Sequence, residues 1–141
     1  MTRAACVAIG WLLGLAMGLW MPGPPLPRLI AAPDLPDFAI AQPGANRIFL
    51  NLPALAQVPP PVANFFFLHE EGHIALRHPV LPAGRRRHQV ELAADCWAAA
   101  RATGPERYQA VRFFRRLGSV SFDASHPDGV ARAAEVVRCS P

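Results

Sequence analysis

The run Phe65-Phe66-Phe67-Leu68-His69-Glu70-Glu71-Gly72-His73-Ile74-Ala75-Leu76 places His-Glu-x-x-His inside an apolar stretch of helical character. Residues four apart on a helix lie one turn along the axis and about 40° apart around it. His69 and His73 can therefore present two imidazoles to one metal ion. Glu70 stands about 100° round, on the flank of that face, where a carboxylate can hold a metal-activated water and take its proton. Val62, Phe65, Phe66 and Leu76 fall on or near the imidazole face and would wall the site with apolar surface. Eighteen residues after His73 comes Glu91-Leu92-Ala93-Ala94-Asp95. A catalytic zinc takes three protein ligands and keeps a fourth position open, and a helical Glu91 suits the third place. Asp95, one turn further on, can accept a hydrogen bond from the far nitrogen of a ligating histidine. Ala94, Ala98 and Ala102 are small enough to let a second helix approach for metal bonds of about 2 Å. The bland alternative is a surface helix with two histidines beside an alanine-rich helix with two solvated acids.

His69-Glu70-x-x-His73 followed by Glu91-x-x-x-Asp95 resembles the gluzincin clan of zinc metallopeptidases. The version with a further histidine, His73-x-x-x-x-His78, looks most like its HtpX and CAAX-prenyl-protease type. Ser125-His126-Pro127 followed by Arg132 resembles the His-Pro…Arg element that this type carries after its third ligand. The resemblance spans about residues 46–135. It implies an endopeptidase that activates water on Zn2+, with His69, His73 and Glu91 as ligands and Glu70 as general base. His126 is the candidate for stabilising the oxyanion of the tetrahedral intermediate; a plain turn residue before Pro127 is the alternative. Tyr108, the only tyrosine, has less support for that role. His78 and His88 flank the loop between the two motifs, where a ligand role competes with helix-end or solvent positions. Two other classes of function stay in view. One is a catalytically silent, zinc-bearing module at the cell envelope that binds peptides or partners, and the other is a metal-free helical interaction domain. Glu70 argues for catalysis, because a structural zinc has no need of that base and usually closes its fourth position with a protein ligand.

Elements must carry these residues. Pro59-Pro60-Pro61 introduces the first motif, since proline is tolerated in a first turn, and Pro79 stops it, giving a helix over 62–77. A proline- and arginine-bearing loop, 79–87, reverses the chain, and the second helix runs from about His88 to Thr103, ending at Gly104-Pro105. A third helix starts at Pro105, with Ala110, Phe113, Phe114 and Leu117 on one side and Arg112, Arg115 and Arg116 on the other. Ser119 to Asp128 reads as a loop and Val130 to Val137 as a last helix. Upstream, 37–41 and 47–51 are short, apolar and strand-like around Pro43-Gly44-Ala45-Asn46, a hairpin pattern. In the resembled family, a strand before the zinc helix borders the cleft and pairs with substrate backbone; here the hairpin can equally serve only to cover the helix pair. The expected fold is therefore a small, mostly helical α+β domain of zincin-like type over 37–141, with one N-terminal hairpin packed on the helices that bear the site.

The rest of the chain bounds the setting. Residues 1–21, a basic start followed by eighteen uncharged residues, read as a secretory signal peptide, with an uncleaved membrane anchor as the competitor. Either places the body of the protein outside the cytoplasm, periplasmic or secreted, with membrane association through that segment left open. Residues 22–36 read as an extended, proline-rich linker. The net charge is a modest +4, and no aromatic platform or nucleic-acid motif accompanies the basic clusters, Arg85-Arg86-Arg87 and Arg112, Arg115 and Arg116, since Phe113 and Phe114 fall on the other side of their helix. A peptide or protein substrate is expected, and no nucleic acid. Cys6 falls in the leader, leaving Cys96 and Cys139 to form a disulfide in an oxidising compartment or to remain buried free thiols.

Overall fold

The structure, a computed structural model, describes residues 25–141; the leader read at 1–21 and the first residues of the proline-rich segment lie outside them. Strands β1 (Arg28–Ala31), β2 (Ala39–Gln42) and β3 (Arg47–Leu50) precede helices α1 (Leu52–Leu55), α2 (Pro60–Ala75), α3 (Arg85–Arg101), α4 (Gly104–Leu117) and α5 (Gly129–Arg138). The fold is α+β. Among the described residues no helix is long and apolar enough to cross a membrane.

The hairpin forms between β2 and β3, antiparallel, with Ala39 opposite Leu50 and Gln42 opposite Arg47. Its turn is one 3-10 turn, Pro43–Ala45, closed by Asn46 at φ 46°, a left-handed position that asparagine tolerates. The sequence reading differs at Arg28–Ala31, inside the segment taken as linker. These residues pair parallel with β3, making it the central strand of the order β1-β3-β2. Between Pro27 and Pro33 every residue keeps its amide proton, so this stretch can join a ladder that the surrounding prolines cannot.

Helix α2 is the centre of the helical layer. Pro60 and Pro61 occupy its first turn, where the missing amide protons would have had no helical acceptor. It buries residues on both sides, because α3 and α4 pack on it from one direction and β2 from another. Helix α4 begins with a capping box: the Thr103 amide donates to Glu106 (2.7 Å), and the Glu106 amide donates to the Thr103 hydroxyl. Helix α5 begins at Asp128, whose carboxylate accepts from the Ala131 amide at 2.8 Å. Val62, Phe65 and Phe66 of α2 meet Ala98, Ala99, Phe114, Ala133 and Val136 of the other helices in one apolar core.

Two contacts decide how closely these helices approach. A Cβ at Gly72 would sit 3.2 Å from the Ala94 carbonyl oxygen and 3.3 Å from its Cα, so the glycine lets α3 lie against α2. A Cβ at Gly129 would overlap the carbonyl oxygen of Phe114, where α5 starts beneath the end of α4. Cys96 of α3 and Cys139, just past α5, are joined by a disulfide across 43 residues of sequence. Chain-entropy arguments give a loop of that size an upper guide of about 4 kcal/mol.

Gly129→Ala should destabilise the protein by about 1–3 kcal/mol, since backbone must shift to admit the methyl group. Chemical denaturation checks this, and equal or raised stability would mean that α4 and α5 have room to separate.

Candidate metal centre

His69 and His73 emerge from α2 one turn apart, and Glu91 comes from the facing side of α3. Nε2 of His69 lies 3.0 Å from Oε2 of Glu91 and 3.1 Å from Nε2 of His73; the third edge, His73 Nε2 to Glu91 Oε2, is 3.3 Å. Around a tetrahedral ion with bonds of about 2.0–2.1 Å, donor atoms sit about 3.3 Å apart. The triangle therefore has the size of three corners of such a site, and its two nitrogens and one carboxylate oxygen are donors that suit zinc. The three side chains are almost wholly buried.

A second layer holds these groups. Nδ1 of His69 faces Asp95 Oδ1 at 2.8 Å. Asp95 in turn takes both arms of Arg132, Nε at 2.8 Å and Nη2 at 2.7 Å. Arg132 is itself buried, its guanidinium 4.2 Å from the centroid of the Phe114 ring. The outer oxygen of Glu91, Oε1, lies 2.6 Å from Arg87 Nε, one turn back on α3. That contact is an ionic approach without hydrogen-bond alignment, and both atoms are buried with no hydrogen-bond partner among the described residues. Nδ1 of His73 meets Nδ1 of His78 at 3.0 Å.

The electrostatics follow from burying several charges together. Burial disfavours a proton on His69, but Asp95 and then Glu91 outweigh it and raise its pKa to about 10. Burial pushes Asp95 the other way from its neighbours; Arg132 and His69 win and hold its carboxyl at about 2. Glu91 is likewise kept below the usual carboxylate range, against its burial, by the hydrogen bonds from His69 and His73. His73 is lowered to about 4, chiefly by burial. The donor set is thus rich in negative charge and, on its own, draws a proton to its centre. A divalent cation answers the same demand.

Glu70 sits beside the triangle. Its Oε2 accepts the Ala41 amide of β2 at 2.6 Å, and burial raises its carboxyl to about 7. His126 reaches the site from the loop before α5: its Nε2 lies 3.5 Å from Glu91 Oε2, while Nδ1 contacts Asp123 at 3.1 Å. His69, Glu91 and His126 also form a group whose ligand atoms lie within 4.8 Å of one another. A cleft of about 160 Å3 opens here, walled by Glu70, His73, Glu91, His126, Asp37 and Ala41 among others.

Every residue singled out in the sequence for the centre, His69, Glu70, His73, Glu91, Asp95 and His126, is thus brought to one place. Tyr108 is not; it is exposed on α4 with Arg112 over its ring. His88 holds the loop bearing His126 instead, its Nε2 3.2 Å from the Ala124 carbonyl. Sequence reasoning missed Arg87, Gly72 and Asp37. The i, i+4 spacing of Arg87 and Glu91 was a readable signal for the first, and the glycine inside the helical motif was one for the second. Nothing local marked Asp37, which lies 3.8 Å from His126 Nε2.

No family model, curated protein or solved structure matches this chain.

Purified protein should bind about one zinc ion per chain. The double variant His69→Ala, His73→Ala should bind none at the same free zinc; full occupancy there, read by elemental analysis, would place the metal elsewhere. Arg132→Met should cost the metal-free protein about 3–5 kcal/mol, because Asp95 stays buried with its charge half answered. Arg132→Lys should recover only part, as one ammonium cannot make the two-armed contact. Urea unfolding measures both, and a loss under about 1 kcal/mol for Arg132→Met would show that the pair contributes little.

Proposed function

We propose that the chain is a zinc-dependent extracytoplasmic peptidase of gluzincin-like character, close in its motifs to the HtpX and CAAX-prenyl-protease type, with Glu70 as its general base. One observation carries this reading. His73 and Glu91 of the donor triangle line a cleft together with Glu70, a carboxylate outside the triangle that a purely structural zinc does not need. Bound there through His69, His73 and Glu91, zinc would supply Lewis acidity towards a carbonyl and make water acidic near neutral pH.

The chain's own groups supply the rest. With one oxygen engaged by the Ala41 amide, Glu70 keeps its other oxygen for the proton of an attacking water, which it can pass on to the leaving amine. His126, its ring held by Asp123, borders the cleft and is the group we assign to the charge developing on the carbonyl oxygen. Asp95 and Arg132 set the ring of His69. Ala39, Ile40 and Ala41 of edge strand β2 line the cleft, and an extended peptide can add to such an edge. The apolar leader and the Cys96–Cys139 disulfide, a bond of oxidising compartments, support export.

Glu70→Gln should keep both the fold and the zinc, since the amide can still accept from Ala41, and should lower peptide cleavage by about 10²–10⁴-fold. Mass spectrometry of a proteome-derived peptide library, incubated with wild type or variant, reads this. Equal cleavage by the variant would remove Glu70 from the chemistry. Zinc bound by a wild type that cleaves nothing in the library would favour a peptide-binding module instead.

A further inference from the structure

Helix α2 does not end on a glycine. Leu76 closes it, Arg77 takes φ 52°, and the chain folds back. The Arg77 amide then bonds the Ile74 carbonyl at 3.1 Å and the His78 amide bonds the His73 carbonyl at 2.9 Å. This pair of bonds is the Schellman ending, which seats the second residue beyond the helix over the residue five before it, ordinarily as an apolar contact. A left-handed conformation costs a side-chain-bearing residue such as arginine about 1 kcal/mol or more relative to glycine. What this ending brings together here is not apolar. It sets His78 against His73, ring centroids 4.9 Å apart and edge to face, with the two Nδ1 atoms at 3.0 Å.

Two imidazole nitrogens at that distance attract only if one carries a proton and the other a lone pair. Nε2 of His73 belongs to the donor triangle, and a nitrogen that gives its lone pair to a cation leaves the ring's proton on Nδ1. Among the described residues that Nδ1–H then has one acceptor, the bare Nδ1 of His78, whose own proton must lie on Nε2. We propose that His78 is a positioning residue: through this bond it fixes the tautomer and ring angle of His73 for zinc, as Asp95 does for His69. The inference rests on the zinc reading above. It does not follow from capping the helix, because both backbone bonds of the ending would form with any residue but proline at position 78. Only the imidazole adds the contact to the ring of His73.

The full-length chain tests it through His78→Leu, which keeps the cap and an apolar side chain, and His78→Asn, whose amide oxygen can still accept. Zinc affinity comes from competition with a chromophoric chelator, ligand geometry from the visible bands of the cobalt(II) form, and folding from the thermal midpoint without metal. His78→Leu should melt within a few degrees of wild type, bind zinc about 10–100-fold more weakly and show altered cobalt bands. His78→Asn should regain part of the affinity. If wild type binds zinc and His78→Leu binds it equally with unchanged bands, the role of His78 is overturned and the centre stands. If wild type binds no zinc, the centre and this role fall together. Should His78→Leu not fold, 15N spectra of the zinc-loaded wild type decide the matter: a proton on Nδ1 of His73 facing an unprotonated Nδ1 of His78 is expected, and a protonated Nδ1 on His78 overturns it.

Discussion

Two carboxylates, Glu91 and Asp95, lie one turn apart on α3 with no exposure to solvent, and the remainder of the domain answers that fact. Taking such groups out of water costs several kcal/mol each unless positive charge and hydrogen bonds meet them. Asp95 is met by Arg132 from α5 and by His69 from α2. Glu91 is met by both histidines of α2 and by Arg87. Three helices are therefore held in register by polar contacts at the heart of an otherwise apolar core. Apolar burial is non-directional, whereas bidentate and imidazole contacts add a preferred direction.

The supporting features are arranged to let those contacts close. Gly72 and Ala94 remove side-chain bulk where α2 and α3 cross. Arg132 lies on Phe114, so its charge is buried against an aromatic face rather than bare hydrocarbon. The disulfide ties the far end of α5 to α3 one residue beyond Asp95, and so limits how far α5 can carry Arg132 away. Across the cleft, the sheet supplies an amide, that of Ala41, to Glu70. The acid beside the triangle is thus positioned by the strand layer and its neighbours by the helical layer.

The two histidines differ in what stands behind them. Behind His69 is a buried ion pair that is part of the core. Behind His73 is a second imidazole, held at the helix end by backbone bonds and lining the cleft. One imidazole is anchored through the fold's interior, the other through a local turn in the chain. Substitutions in the core and in the turn should therefore perturb the two donors separately.

Much of this was written in local sequence. The spacing His69 to His73 and Glu91 to Asp95 dictates shared helix faces, because 3.6 residues per turn is a property of the backbone itself. Proline and glycine marked the helix ends to within a few residues, and Pro43 to Asn46 marked the hairpin turn, since these residues restrict or free φ locally. The pairing of Cys96 with Cys139 was readable as well, from the number of cysteines outside residues 1–21. Other features depended on residues distant in the chain. Arg28–Ala31 becomes a strand only because β3 offers it an open edge. Arg132 and Phe114 meet 18 positions apart, and Asp95 and Arg132 meet 37 apart, through the packing of α5 on α3 and α4. Asp37 reaches His126 across most of the chain, and the ending that turns His78 onto His73 required an arginine to adopt a conformation that no local preference favours. Sequence determines which groups share an element, because helix and strand periods are short-range; tertiary structure decides which elements meet, because only burial of the whole core fixes their approach.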